Sequence, residues 1–238
     1  EMNSSDFVKG LKAVWYSSSL SSIKAELSSV FIYPEDGVIV FAATDSFRLA
    51  EKKVKTKVPD FEKVLIPFKN VSEIIRILET ADTTVEVRLN KNQIAFMFGD
   101  TYLTSRVIDG AFPDYRQIIP KEFKTEVIIL KEDLVRALKM STIFSDTFNQ
   151  VSVSVTPEKK KFEITTKNVN LGESTAVLEA ALSGESTEAN FNYRYIADCL
   201  QSINTDSLSL SFAGASRPVV IKGVGDKSFT YLVIPMNR

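Results

Sequence analysis

The sequence predicts an α+β fold in which one domain, built from two helices packed on antiparallel β-sheets, occurs twice. Four segments place their apolar residues at helical spacing, and the segments between them alternate apolar and polar residues as strands do. Matching residues recur in the same order in both halves: Val8 to Lys12 resembles Val135 to Lys139, and Gly99-Asp100 resembles Gly225-Asp226. Such repetition indicates a duplicated domain, and each copy itself resembles a doubled unit of one helix plus strands.

A turn-rich segment, Asp109 to Tyr115, separates the two predicted copies. We therefore expect the first domain over residues 1–113 and the second over residues 114–238. A further correspondence concerns the second helix of each copy, and it pairs Asn70, Ile74 and Leu78 with Asn192, Ile196 and Leu200.

The first copy is predicted to begin with a helix over Asp6 to Tyr16, whose apolar residues share one face. Its second helix is predicted over Val71 to Glu79, with Asn70 as the N-cap and Glu73 completing a capping box. Alternation and turn residues place its strands at Val30–Tyr33, Val38–Ala43, Arg48–Val54, Val64–Pro67, Val85–Leu89, Ile94–Phe98 and Tyr102–Val107.

The second copy repeats this order. A third helix is predicted from Glu132 to about Phe144, and Asn192 is expected to cap a fourth helix. Its strands are predicted at Glu126–Leu130, Val151–Val155, Phe162–Ile164, Ala176–Ala181, Leu208–Phe212, Val219–Ile221 and Phe229–Ile234.

The end of the chain is unusually apolar, since Tyr231 to Met236 contains five apolar residues where a polar, frayed end is common. Two interpretations are open. The segment is either simply the last strand of a sheet, or its tip, Ile234 to Met236, also forms one wall of a surface groove. Pro235 cannot donate a ladder hydrogen bond, so it marks where the strand leaves the sheet.

Composition argues against most catalytic chemistry. The 238 residues include no histidine and one cysteine, and the formal net charge is −1. Without histidine there is no Ser-His-Asp or Cys-His arrangement, although carboxylate and lysine chemistry remain open. Cys199 falls on the apolar side of its helix, as a core residue does. We expect a cytoplasmic protein with no metal, no cofactor and no membrane segment.

The basic residues on the polar faces of the helices are candidates for sequence-independent contact with DNA phosphates. If both helices of each copy lie on one side of its sheets, these residues collect on one surface. The alternative is that they are ordinary solvent-facing side chains. The candidates on the helices are Lys9, Lys12, Arg76, Arg136, Lys139 and Arg194.

Three motifs resemble the bacterial DNA sliding clamp, the beta subunit of DNA polymerase III. Ala43-Thr44-Asp45-Ser46-Phe47-Arg48-Leu49-Ala50 is similar to that family's Ala-Thr-Asp-Gly/Ser-His-Arg-Leu-Ala signature. Val107 to Tyr115 contains its interdomain Asp-Gly-x-Phe-Pro-Asp-Tyr motif, and Tyr231 to Met236 resembles its aromatic-Val-Val-Met-Pro-Met ending. The motifs occur in order over nearly the whole chain, so the resemblance is specific.

This resemblance implies the family's second and third domains without its first, which agrees with the unusual start Glu1-Met2-Asn3. It implies a non-catalytic processivity factor that, at full length, forms a homodimeric ring around duplex DNA. The implied partners are the polymerase III alpha subunit, the clamp loader and other proteins with a clamp-binding motif. The chain alone is expected to be monomeric and to bind DNA weakly.

The resemblance also implies a groove between the two domains that binds an extended partner peptide rich in glutamine and bulky apolar residues. The implied lining residues are Leu27, Thr44, Ser46, Phe47, Arg48, Leu49, Pro113, Gln117, Ile118, Asn192, Tyr195, Pro218, Leu232, Val233, Ile234, Pro235 and Met236. Leu49, Ile118, Leu232 and Ile234 would form an apolar socket, and Met236 an adaptable wall.

This chain departs from the family pattern at several positions. Phe47 replaces a histidine, Gln117 a common basic residue and Ile234 a methionine, and Asn237-Arg238 replaces the usual Arg-Leu end. These differences affect the expected peptide preference.

The family also touches DNA from the loop after the first helix, here Ser22 to Ala25, in which only Lys24 is charged. Its dimer contact corresponds to Ile143 and Phe144, at the predicted end of the third helix.

Two functions of other classes compete with the clamp hypothesis. One is a carboxylate enzyme using Asp45 with Asp100 or Asp109, although aspartate is favoured in turns for local hydrogen bonding alone. The other is a structural module that assembles through edge strands and has no role on DNA. An apolar peptide groove would be of no use to such a module, so peptide binding distinguishes a clamp from a structural module.

Overall fold

The chain folds into two compact units, which we call unit 1, Glu1–Asp114, and unit 2, Tyr115–Arg238. A computed structural model describes residues 1–21, 23–56, 59–81 and 83–236. None of the helices in these ranges is both long enough and apolar enough to span a membrane.

Unit 1 contains the two predicted helices and eight strands within the described residues. The helices are α1, Ser4–Val14, and α2, Phe68–Leu78. The strands are β1 (Met2–Asn3), β2 (Ser29–Glu35), β3 (Val38–Thr44), β4 (Arg48–Lys55), β5 (Val64–Pro67), β6 (Thr84–Leu89), β7 (Gln93–Phe98) and β8 (Thr101–Arg106).

Its strands form two antiparallel layers, in the orders β1-β6-β7-β8 and β4-β3-β2-β5. Phe7 of α1 packs edge-on against a ring from each layer, at 5.4 Å from Phe41 and 5.1 Å from Phe96. Gly10 makes room for this packing, because a Cβ there would lie 2.3 Å from the Phe41 ring. The core of unit 1 therefore lies where α1 meets both sheets.

Unit 2 repeats this plan with helices α3, Lys131–Ser141, and α4, Tyr193–Leu200. Its layers run β13-β9-β15-β16-β17 and β12-β11-β10-β14. The strands are β9 (Thr125–Leu130), β10 (Gln150–Thr156), β11 (Lys161–Asn168), β12 (Gly172–Leu178), β13 (Ala180–Gly184), β14 (Thr187–Asn192), β15 (Ser207–Phe212), β16 (Val219–Gly223) and β17 (Phe229–Val233).

The strand orders explain the duplication inside each unit. In unit 1, β1-α1-β2-β3-β4 is followed by β5-α2-β6-β7-β8, and each half supplies one helix. Unit 2 follows the same scheme, with β13 inserted as an additional edge strand beside β9. The predicted α+β fold with two copies of a two-helix domain is therefore confirmed.

The predicted start of the second helix was wrong. The helix α2 begins at Phe68, so Pro67 is its N-cap and Asn70 lies inside its first turn. The side-chain amide of Asn70 instead donates to Ser105 Oγ at 2.9 Å. Glu73 accepts a hydrogen bond from Arg76 and does not close a capping box. The strand β5 runs directly into the helix, which leaves no loop for a polar cap.

The pairing of Asn70 with Asn192 was consequently wrong as well. Asn192 does cap α4, since its side chain accepts from the Arg194 amide at 3.0 Å. Aligning the first residues of the helices, Phe68 and Tyr193, shifts the correspondence by one helical turn. The match to Ile196 is then Val71, and both of these residues are buried.

Three further elements of unit 2 differ from the sequence prediction. The single strand expected over Ala176–Ala181 is interrupted at Glu179, where the chain passes from β12 in one sheet to β13 in the other. The strand β14 was not predicted, although Ala189 and Phe191 are buried in alternation. The third helix stops at Ser141, so Ile143 and Phe144 follow it rather than end it.

Candidate functional site

The turn between β3 and β4 carries the best-defined group of predicted site residues in unit 1. Asp45 organises it: one carboxylate oxygen, Oδ1, accepts from the backbone amides of Phe47 at 2.9 Å and Arg48 at 3.0 Å. Thr44 Oγ1 donates to the Arg48 carbonyl at 2.6 Å and accepts from the Ser46 amide at 3.2 Å. Ser46 has φ +79°, so the turn reverses sharply at this residue.

Arg48 is held in place by the same turn. Its Nε donates to Asp45 Oδ2 at 3.0 Å, and its Nη2 donates to the Tyr16 carbonyl at 2.6 Å. The guanidinium carbon also lies 6.0 Å from the centre of the Tyr16 ring. Only 11% of the Arg48 side chain and 13% of the Asp45 side chain are exposed. These hydrogen bonds make the turn rigid, and the Arg48 side chain links it to the Tyr16 carbonyl.

The remaining predicted residues of unit 1 differ in exposure. Phe47 is 60% exposed at the tip of the turn, whereas Leu49 is 1% exposed in β4 and Leu27 is buried. Pro113 is exposed. It follows Phe112, whose ring stacks on Phe31 at 4.8 Å between the ring centres. Among the predicted groove residues of unit 1, Phe47 therefore provides the large exposed apolar side chain, and the hydrogen-bonded turn supports it.

In unit 2, the predicted residues near the start form a short 3₁₀ helix, Tyr115–Ile118. Tyr115 is buried and anchors this turn, while Gln117 and Ile118 are exposed. Ile118 is 44% exposed, which makes it a candidate anchor for an apolar group of a partner.

The end of the chain is fixed within unit 2. The strand β17 ends at Val233, before Pro235, and Leu232 and Val233 are completely buried. Beyond it, the Met236 amide donates to the Asn190 carbonyl of β14 at 2.7 Å. The last described residues, 234–236, therefore pass from one sheet of unit 2 to the other and stay half-buried.

The start of α4 lies beside this segment. Tyr231 of β17 donates its hydroxyl hydrogen to the Tyr195 carbonyl at 2.8 Å, and Asn192 ends the strand that carries Asn190. The structure thus brings Asn192 and Tyr195 together with the chain end, while Pro218 lies half-buried before β16.

The expected apolar socket changes in one respect. Leu49 and Leu232 are core residues of their units, so they present almost no surface. The exposed apolar members of the predicted set are Phe47 and Ile118, with Ile234 half-buried. Whether a side chain is exposed depends on the tertiary structure. The sequence patterns therefore did not separate the exposed apolar residues from the buried ones.

The predicted basic residues are all exposed. Within unit 1, Lys12 of α1 forms an ion pair with Glu79 just after α2, so the two helices lie side by side. Arg76 pairs with Glu73, and in unit 2 Arg136 pairs with Asp133 at 3.0 Å. Over the described part of the chain, Lys9, Lys24, Lys139 and Arg194 form no ion pair.

The pairing of Arg76 affects its charge environment. The hydrogen bond from Arg76 holds the pKa of Glu73 below its ordinary value, and the same bond raises the pKa of Arg76. Both groups therefore stay charged near neutral pH, and Arg76 adds less positive potential than Lys9 or Lys139 do.

Two exposed aliphatic residues were missed in the loop after α1. Leu20 is 82% exposed and Ile23 is 91% exposed, on either side of Ser22, which lies outside the described residues. An apolar residue isolated among serines was the available signal. Lys24 follows them and is exposed, and its carbonyl accepts from the Leu27 amide at 3.1 Å.

The predicted dimer residues lie in the turn after α3. Ile143 is 58% exposed and Phe144 is half-buried. Other exposed apolar side chains of unit 2 follow in the chain, namely Phe148, Val169, Leu171 and Val177.

The carboxylates of the enzyme hypothesis have different surroundings. Asp45 is engaged with Arg48 and two backbone amides, and Asp100 and Asp109 are exposed. Among the described residues, no three acidic or cysteine side chains lie close enough together to hold a metal ion.

Family models identify the chain. The central-domain model of the DNA polymerase III beta subunit matches residues 1–114, and the C-terminal-domain model matches residues 116–237. The chain belongs to the DNA polymerase III beta subunit family.

Curated relatives agree with this assignment. The chain is 29% identical to the beta sliding clamp of Synechococcus elongatus over 244 residues, 28% identical to that of Escherichia coli and 27% identical to that of Bacillus subtilis. These matches cover 100%, 95% and 98% of this chain but only 65%, 62% and 63% of the relatives. The chain thus spans under two thirds of their length.

Solved structures show the same fold. The DNA polymerase sliding clamp of Bacillus subtilis matches with a TM-score of 0.93 at 27% identity, covering 100% of this chain and 63% of that one. The sliding clamp of Pseudomonas aeruginosa matches with a TM-score of 0.94 at 21% identity, covering 100% and 65%. The three motifs that suggested the beta subunit family therefore identified it correctly.

Proposed function

We propose that the chain is the partner-binding part of a DNA sliding clamp, which tethers a replicative polymerase and other replication proteins to duplex DNA in the cytoplasm. The observation that carries this proposal is the match of two consecutive beta subunit domain models to almost every residue. The function is binding rather than catalysis, which agrees with the absence of histidine from the sequence.

We propose that partners insert an extended peptide that contacts the β3–β4 turn of unit 1 and the chain end of unit 2. Support comes from each set of residues separately. The turn presents Phe47 on a support fixed by Asp45, and rigid presentation lowers the entropic cost of binding. In unit 2, Ile118 is exposed and residues 234–236 are tied to β14.

A labelled peptide with the glutamine, leucine and phenylalanine pattern tests this proposal by fluorescence anisotropy. We expect micromolar-range affinity, roughly −8 kcal/mol. The double variant Phe47→Ala, Ile118→Ala is expected to weaken binding at least about tenfold, because truncating an exposed anchor costs ~1 kcal/mol or more. These residues are preferable to Leu49, whose truncation would create a cavity in the core of unit 1.

Val224→Ala is the matched control, since Val224 is as exposed as Ile118, at 44%, but is not among the implied lining residues of the groove. Unchanged affinity in the Phe47, Ile118 variant, with native circular dichroism, would contradict the peptide site. It would leave the domain assignment intact, because that rests on sequence comparison.

We also propose that the basic helix faces contact DNA phosphates. The chain is expected to bind duplex DNA weakly and to lose affinity steeply as salt rises, since each phosphate contact releases counterions. Replacing Lys9, Lys139 and Arg194 together by alanine should reduce the salt slope by about 3. Lys12, Arg76 and Arg136 provide the comparison set, because each already pairs with a carboxylate. Tight binding that persists at high salt would contradict this prediction.

A further inference from the structure

The segment that leaves unit 1, residues 109–114, is here called the connector, and it is held against one sheet of that unit. Just before it, the Ile108 amide donates to the Leu65 carbonyl of β5 at 2.9 Å. After three exposed residues, the half-buried ring of Phe112 stacks on Phe31 of β2. Since Leu65 and Phe31 are paired residues of neighbouring strands, the connector crosses from β5 to β2.

The ring of Phe112 is what attaches the middle of the connector to the sheet. The centres of the Phe112 and Phe31 rings lie 4.8 Å apart, and the ring planes differ by 15°. Tyr33 lies on the same face of β2, with its ring centre 4.8 Å from that of Phe31. Stacked aromatic pairs stabilise by more than the area that they bury. All other residues of the connector are exposed, so its position depends on this stack.

Pro113 follows Phe112 directly and is exposed. Proline fixes its own φ, and its ring also keeps the preceding residue out of the helical conformation. The backbone of Phe112 is therefore restricted by Pro113, while its side chain is held by Phe31. These two constraints together leave the Pro113 ring little freedom to move relative to β2.

We propose that Phe112 is a positioning residue for the peptide site, because its stack on Phe31 holds Pro113 in place as an apolar contact for the partner peptide. This inference rests on the proposed peptide-binding function and adds a second contact in unit 1 to Phe47. Both contact residues are exposed, and each is held by a neighbour that is not. Rigid presentation of this kind lowers the entropic cost of binding.

Fluorescence anisotropy with the labelled peptide of glutamine, leucine and phenylalanine pattern tests the role of Phe112. Phe112→Leu keeps an apolar side chain but removes the stacked ring, and we expect it to weaken peptide binding about three- to tenfold. Phe112→Tyr keeps the ring and should retain wild-type affinity. Phe31→Leu should cause the same loss as Phe112→Leu, because either change removes the same stack.

A double-mutant cycle between Phe112 and Pro113 provides the decisive measurement. If Phe112 acts through Pro113, Phe112→Leu should weaken binding in the wild-type chain but have almost no further effect in the Pro113→Ala variant. Phe123→Leu is the matched control, since Phe123 is 38% exposed and makes no ring contact with the part of the chain that the structure describes. That control should leave peptide affinity unchanged.

Trp15, which stacks on Phe68 in unit 1, distinguishes positioning from a purely structural role. A purely structural role would lower the stability of unit 1, followed by Trp15 fluorescence in urea, and leave the affinity of the folded variant unchanged. Wild-type affinity in Phe112→Leu, or equal losses with and without Pro113, would overturn this inference and leave the peptide site standing. A wild-type chain that does not bind the peptide would overturn the proposed peptide site and this inference with it.

Discussion

Gly184→Ala is expected to destabilise unit 2 by about 3 kcal/mol or more, the largest loss from a single added methyl group in this chain. Gly184 has φ +94°, a conformation that side-chain-bearing residues rarely adopt. A Cβ there would lie 1.9 Å from the Lys124 carbonyl oxygen and 2.9 Å from Thr125 Cα. These are backbone atoms, so no rotamer change relieves the clash.

Relief would require β13 to move away from β9, where Gly184 pairs with Thr125. Such a movement would strain two neighbouring hydrogen bonds. The Glu185 amide donates to the Lys124 carbonyl at 2.9 Å, and Thr125 Oγ1 donates to the Glu185 carbonyl at 2.6 Å. The cost therefore combines backbone strain with local loss of sheet pairing.

Gly225→Ala is the matched control because Gly225 has a similar φ, +80°, with no atom within 4 Å of the added Cβ. It should cost only the conformational strain, about 1–2 kcal/mol. Urea unfolding followed by circular dichroism measures both losses. The fluorescence of Trp15, which stacks on Phe68 in unit 1 and is the one tryptophan in the sequence, reports unit 1 alone. Equal destabilisation by Gly184→Ala and Gly225→Ala would contradict the predicted steric clash at Gly184.

Sequence patterns predicted most of the helices and strands because each has one buried face. The helix α2 shows why, since Val71, Ile74, Ile75 and Leu78 are buried at helical spacing. The patterns failed where a boundary depends on a neighbouring element. The helix start at Phe68 is set by β5 and by the stacking of Phe68 on Trp15. The break at Glu179 occurs because two sheets share one continuous alternating segment.

The candidate site was less predictable than the fold. Motifs located the β3–β4 turn and the chain end, but they did not separate exposed Phe47 from buried Leu49, two residues apart. They also assigned Arg48 to a partner, whereas the structure engages it with Asp45 and the Tyr16 carbonyl. The long-range contact with Tyr16 has no counterpart in the local sequence pattern, so exposure and pairing had to come from the structure.

The second large effect is expected from Asp45→Ala, at about 2–3 kcal/mol of unit 1 stability. The change removes the acceptor of two backbone amides and leaves the mostly buried Arg48 without this carboxylate. Asp45→Asn should cost less, because an amide oxygen can still accept from the backbone while the charge opposite Arg48 is lost. Trp15 fluorescence during urea unfolding measures this series in unit 1.

Asp100→Ala is the matched control for Asp45→Ala. Asp100 also lies in a turn, but it is exposed, so its removal should change stability by less than about 0.5 kcal/mol. If Asp45 is structural, Asp45→Ala should lower peptide affinity as well, because Phe47 loses its rigid support. Asp45→Asn should then fall between wild type and alanine in both measurements. A stable Asp45→Ala variant with wild-type peptide affinity would show that the turn does not depend on this carboxylate, and would reopen a chemical role for it.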